Sequence, residues 1–144
     1  MHIRNIIIRN FRRYGDAAFC FNEKFNVLVV NNGKGKTTIL DALAIMLNTY
    51  FQASGIPTGV GGIKNADARF VITEKDGQVF REPNTDVWLK ASAHAKGQIW
   101  EWQRNKGDRG GNAKEFIRLG AETRSTVTRG ENPTCPLLLY YGAG

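Results

Sequence analysis

Residues 26–38 read NVLVVNNGKGKTT, and residues 39–51 continue ILDALAIMLNTYF. The apolar run Val27, Leu28, Val29 and Val30 fits a strand buried on both faces, where alternation with polar residues is not required. Gly33 and Gly35 lack the Cβ atoms that would block an approaching phosphate, and they permit backbone angles that turn successive N–H groups inward. A helix beginning at about Lys36 aims its unsatisfied amides and the positive end of its dipole at the same anion. Strand, glycine-punctuated turn and helix together form a phosphate cradle.

Within that cradle Asn31, Asn32, Gly33, Lys34, Gly35, Lys36, Thr37 and Thr38 are the expected binding residues. Lys36 brings a mobile positive charge to β- and γ-phosphates and is the candidate catalytic residue, while Thr37 offers a hydroxyl to Mg²⁺. The pattern G-x-x-x-x-G-K-[ST] has Val30 in place of its first glycine, so the strand must enter the loop by a tighter turn. Beyond the loop, Ile39, Leu40, Leu43, Met46, Leu47 and Tyr50 recur at helical spacing and predict one wide apolar face seated on a sheet. Asp41 reads as solvated surface in preference to a partner of the metal-binding hydroxyl.

At 144 residues the chain can bury one domain core. It contains no apolar run long enough to span a bilayer, and its first residues lead directly into a strand pattern, so a soluble, cytoplasmic chain is expected. Cys20 and Cys135 lie far apart and outside any histidine cluster, which argues against zinc or a disulfide framework. The net charge of +7 is compatible with nucleic acid, phospholipid or nucleotide and does not choose among them. Along the sequence the aromatics are not interleaved with basic residues as a single-strand platform would require. An ordinary basic surface is the preferred reading.

In chain order, Ile3, Ile6, Ile7 and Ile8 mark a first strand, residues 10–15 (NFRRYG) end it, and residues 17–21 form a second strand. This hairpin precedes the phosphate loop and brings Arg12 and Arg13 within reach of it, with solvated turn charge as the equal alternative. Residues 54–62 hold four glycines and a proline and read as a loop, with a place near a base or a partner subunit as the functional alternative. Residues 66–73 and 78–81 flank Asp76-Gly77, a tight-hairpin signal. Residues 86–92 and 98–104 are two more strands, the second with Trp100 and Trp102 on one face, filling a seam between this antiparallel lobe and the main sheet. Residues 105–112 are a glycine-rich turn, 113–128 a frayed helix broken by Pro133 and Pro136, and 137–141 (LLLYY) a buried returning strand. His2 and His94 read as isolated surface residues. The organisation is thus a nucleotide-binding core at 1–52, an antiparallel lobe at 66–104 and a helix with returning strand at 113–144.

With the first strand, NFRRY at 10–14, NVLVV at 26–30, NGKGKTT at 32–38 and ILDAL at 39–43 in view, the chain resembles the amino-terminal part of ABC-type AAA ATPases of the SMC and RecF group. Within that group it resembles predicted ATP-binding proteins of bacterial anti-phage systems such as Septu and some retrons. The LLLYYG segment at 137–142 is similar to one in this narrower set. The resemblance implies an α/β P-loop NTPase fold, an ABC-type amino-terminal lobe with a mixed sheet and an antiparallel β lobe. It implies ATP and Mg²⁺ as ligands, Lys36 and Thr37 at phosphate and metal, and Arg12 reaching the nucleotide. It also implies a homodimer at full length, coupled to DNA or an effector nuclease. The acidic Walker B strand, the signature segment and the switch histidine of the group have no counterpart in residues 1–144, so this stretch is expected to bind ATP better than it cleaves it.

Two readings from other classes stay open: a truncated structural or protein-interaction module without hydrolysis, and a basic nucleic-acid-binding module.

Overall fold

The computed structural model describes residues 1–29, 35–107 and 111–139. Its elements are β1 (His2–Phe11), β2 (Tyr14–Cys20), α1 (Lys36–Ala53), a 3₁₀ turn (Asn65–Asp67), β3 (Phe70–Lys75), β4 (Gln78–Pro83), β5 (Trp88–Ala95), β6 (Gln98–Asn105) and α2 (Lys114–Thr128). Strands β2-β1-β5-β6 form one antiparallel sheet, and β3-β4 form a separate two-stranded sheet.

Alternation decides which face of the larger sheet is buried. Ile6 and Ile8 of β1 and Leu89, Ala91 and Ala93 of β5 are fully buried, and Ile6 opposes Ala91 while Ile8 opposes Leu89. The small residues Ala91 and Ala93 in turn oppose Trp102 and Trp100 of β6, so bulk beside little bulk keeps the layer even. Trp102 lies flat against Phe116 of α2, ring centroids 3.6 Å apart, and its indole N–H donates to the Met46 carbonyl of α1 at 3.0 Å. Burying an indole requires such an acceptor. The tryptophans share a face as expected, and the seam they fill is the one between sheet and helices.

α2 crosses α1 at Gly120, where an added Cβ would come within 2.5 Å of the Tyr50 carbonyl. Beside that crossing the Thr123 hydroxyl donates to Leu119 O at 3.1 Å, which leaves the Tyr50 phenol to donate to Thr123 at 2.9 Å. Thr126 and Thr128 bond back to carbonyls four residues earlier in the same way. These hydroxyls stay within the helix, so α2 is continuous through a sequence whose Ser and Thr content suggests fraying.

Several expectations are corrected. The mixed sheet is not found among the described residues, where both sheets are antiparallel. Of the run Val27 to Val30, expected as the buried strand leading into the phosphate loop, the described residues 27–29 form no strand; Val27 and Val29 are 67% and 86% exposed, and the neighbouring Phe25 is 77% exposed. A buried parallel strand needs a paired neighbour, and no described residue pairs with this stretch. Its start is instead closed by side-chain amides: Asn26 Nδ2 donates to Asn22 O at 2.8 Å, and Asn22 N to Asn26 Oδ1 at 2.6 Å. Leu137, Leu138 and Leu139 likewise form no strand. Tyr140 and Tyr141 lie outside the described residues.

β5 and β6 extend the sheet of β1 and do not join β3 and β4 in one lobe. On α1 the buried positions include Ala42, Ala44, Ile45, Asn48, Thr49 and Phe51 alongside Met46 and Tyr50, while Leu40 is exposed. The helix packs on the sheet and also against the loop after it, where Asn48 Nδ2 donates to Val60 O at 2.7 Å and Asn48 accepts from Thr58. His2 and His94 are not isolated: they are partners across β1 and β5 with rings stacked at 5.3 Å.

Candidate functional site

The amino-terminal end of α1 is set against the β1–β2 turn. Gly35 precedes the helix at φ 107, a conformation glycine adopts without penalty, and α1 begins at Lys36 as its sequence predicts. A Cβ at Gly35 would fall 2.7 Å from the Tyr14 hydroxyl, so this approach also requires glycine. Among the described residues the helix start has no side-chain cap and no acidic residue in its first turn. Such an end carries unsatisfied N–H groups and positive potential. Thr37 faces outward and Thr38 is buried. Asn31, Asn32, Gly33 and Lys34, with Val30, lie outside the described residues.

One step back from the loop, Arg12 joins three segments. Its guanidinium pairs with Asp41 on α1, and its Nε donates to Asp67 Oδ1 at 2.8 Å. The Arg12 backbone N–H donates to Asp67 O at 2.6 Å. Asp67 is nearly fully buried, and its other carboxylate oxygen accepts the Lys64 backbone N–H at 2.8 Å. A carboxylate so buried requires this pairing. Partial burial opposes the charged form of Arg12, but the hydrogen bonds and charges of Asp67 and Asp41 outweigh it, and its pKa stands above the ordinary arginine value.

One sequence expectation changes here: Asp41 is an ion-pair partner and not plain surface. Arg12, expected to reach the nucleotide, stands near the start of α1 with its Nε and Nη1 engaged by the two carboxylates. Asp67 was not singled out by sequence, since nothing near it in the chain signals a partner on β1.

Arg12, Asp41 and Asp67 border a cleft of about 160 Å³ whose other wall is Val60, Gly61 and Gly62. That volume suits a ring-sized group and is smaller than the roughly 300 Å³ of a whole-ligand pocket. The glycine-rich loop after α1 therefore lies beside the amino-terminal half of that helix. No group of three or more histidine, cysteine or acidic residues able to hold a metal occurs among the described residues, and no helix there is long and apolar enough to cross a membrane.

A family model described as AAA ATPase domain matches residues 1–119. The chain is 35% identical over 74 residues to the DNA replication and repair protein RecF of Flavobacterium johnsoniae, covering 50% of this chain and 20% of that protein. It is 44% identical over 43 residues to RecF of Clostridium acetobutylicum, covering 30% and 12% respectively. To RecF of Protochlamydia amoebophila it is 36% identical over 58 residues, covering 40% and 16%. The chain thus spans a fifth or less of the length of these relatives.

Proposed function

The chain belongs to the AAA ATPase domain family, and from that premise we propose that residues 31–38 hold the phosphates of Mg-ATP on a P-loop NTPase framework. Lys36 is the phosphate-binding and catalytic cation, Thr37 the hydroxyl for Mg²⁺, and Arg12 a nearby basic group. The observation that carries this reading is Gly35, left-handed and leading into a helix start that has neither side-chain cap nor acidic residue in its first turn. The donor set fits the ligands: an exposed hydroxyl suits a hard cation, and a lysine beside open amides suits a polyphosphate. The cleft between Arg12 and Val60 is the proposed seat of the base. Bound Mg²⁺ would offset charge developing on the phosphoryl oxygens.

Hydrolysis to ADP and phosphate is proposed for a longer protein that adds the Walker B and signature elements. The same holds for homodimerisation, a cytoplasmic setting, coupling to DNA or an effector nuclease, and a role in anti-phage defence. The exposed Phe25, Val27, Val29, Leu137 and Leu139 favour a second reading, in which these stretches serve protein assembly without hydrolysis.

The test is calorimetric titration of residues 1–144 with Mg-ATP, with Lys36→Ala in parallel. Removing a charge-assisted phosphate contact, worth ~1.5–3 kcal/mol, is expected to weaken binding by about tenfold or more. Equal affinity for parent and variant would remove the phosphate-loop assignment, and absence of binding in a folded sample would leave the assembly reading in front.

A further inference from the structure

His2 and His94 stand directly opposite one another on β1 and β5, with their rings stacked at 5.3 Å. Both are half-buried. Along β5 the alternate residues Leu89, Ala91, Ala93 and Ala95 are buried on the face that carries Trp102 against Phe116. His94 therefore lies on the opposite face of the sheet, in line with Lys90 and Ser92. On β6 that face carries Ile99 beside His94 and Glu101 beside Ser92.

The backbone register holds the two histidines together. Directly opposed residues of an antiparallel pair have Cβ atoms ~4.5–5.5 Å apart, and the histidine χ2 torsion is soft. One ring nitrogen from each side chain can therefore meet a single cation at the ~2.0–2.1 Å of a metal–imidazole bond. The two lysines of β5 and its turn do not oppose a cation there, because Lys90 pairs with Glu101 at 3.4 Å and Lys96 with Glu122 at 3.6 Å. Ser92 is 2% exposed, and its hydroxyl has no hydrogen-bond partner among the described residues. An orphaned buried hydroxyl on the histidine face is the kind of group that a cation's water ligand satisfies.

We propose that His2 and His94 together bind a late first-row divalent cation, Zn²⁺ or Cu²⁺, with water completing its coordination shell. Imidazole nitrogen selects these ions over Mg²⁺ and Ca²⁺, which take oxygen ligands. Two protein ligands leave the ion exchangeable, unlike the four that close a structural zinc site. The site draws on neither Lys36 nor Thr37. A cation held there ties β1 to β5 across the central pairing of the larger sheet, and because the unfolded chain does not keep the two rings together, binding stabilises the fold. Linear spacing hides the pair, since the histidines meet only through the β1–β5 register.

The test is calorimetric titration of tag-free residues 1–144 with zinc chloride and with copper(II) chloride. Nucleotide is omitted, so the outcome does not depend on the ATP reading. Cu²⁺ is expected to bind more tightly than Zn²⁺. His94→Gln is expected to weaken Zn²⁺ binding by ~100-fold through loss of two-point attachment, and His2→Gln by a similar factor. At about a hundredfold excess over its dissociation constant, Zn²⁺ is expected to raise the Tm of the parent by ~5–10 °C and to leave that of both variants unchanged. Melting without metal checks the fold of each variant, and either one remains informative if the other is unstable. No binding of Zn²⁺ or Cu²⁺ by the folded parent, or Mg²⁺ binding of equal strength, would overturn the proposal. So would unchanged affinity in His94→Gln, which leaves the ion on the amino-terminal residues alone.

Discussion

The β3–β4 and β5–β6 hairpins are made alike and used differently. Asp76-Gly77 joins β3 to β4 and Lys96-Gly97 joins β5 to β6, with φ of 53 and 73 in the first turn and 50 and 76 in the second. Both turns have the left-handed pair of residues that matches strand twist. Yet β5–β6 supplies Leu89, Ala91, Ala93 and Trp102 to the core, while every position of β3–β4 except Thr73 is exposed. Local turn chemistry makes a hairpin, and what lies against its face decides whether that hairpin holds the domain together or stands out from it.

The comparison can be broken most directly at Trp102. Trp102→Ala removes a ring stacked on Phe116 and the Met46 carbonyl's donor, and it is expected to cost ~3–5 kcal/mol in urea unfolding. Ile72→Ala in the other hairpin is expected to stay within about 0.5 kcal/mol. Comparable losses at the two positions would mean that β3–β4 is part of the same cooperative core.

A smaller effect sharpens the contrast at the turns. Placing a Cβ in the left-handed region costs ~1–2 kcal/mol, and neither Gly77 nor Gly97 has an atom near enough to clash with one. Gly97→Ala is expected to lower global stability by about that amount. Gly77→Ala is expected to speed amide exchange in β3–β4 alone, because an isolated two-stranded ribbon opens separately.

The smallest effect is a pH dependence inside the body. Burial is the largest influence on the Tyr50 phenol and pushes it up, and the charge of Cys135 adds to the rise. The folded chain therefore keeps this proton to higher pH than the unfolded chain does. The associated stability is complete below about pH 10, the unfolded value, and is lost as pH rises through the folded one. The stability difference between parent and Tyr50→Phe is expected to shrink above about pH 10 in urea titrations, and a difference that stays constant would contradict this assignment.

Legibility in the sequence follows the range of the interaction. The isoleucine-rich first strand, the helix start at Lys36, the Asp76-Gly77 hairpin and the shared face of Trp100 and Trp102 depend on neighbours within a few residues, and all were readable. Which sheet β5 joins depends on β1, dozens of residues earlier, and the pattern of either strand alone carries no address. At the candidate site Gly35 and Lys36 announce themselves by local spacing, whereas the Arg12–Asp67 pair connects residues that no periodicity relates. Residues 27–29 and 137–139 show the converse: each is apolar enough to read as part of a core strand, but composition cannot supply the neighbour that a strand must pair with. Gly120 did carry a signal, since a glycine inside a helical pattern marks close packing or a break.

β1 is the first strand in the chain and an interior strand of its sheet, flanked by β2 on one side and β5 on the other. During synthesis the β1–β2 hairpin can close early, but its other edge has no mate until residues 88–95 have emerged. For that interval the β5-facing edge of β1 carries open amides, and the sheet on which α1 packs is half built. Closing this sheet thus requires a long-range strand pairing, the kind of step that slows folding and exposes an unpaired edge to other chains.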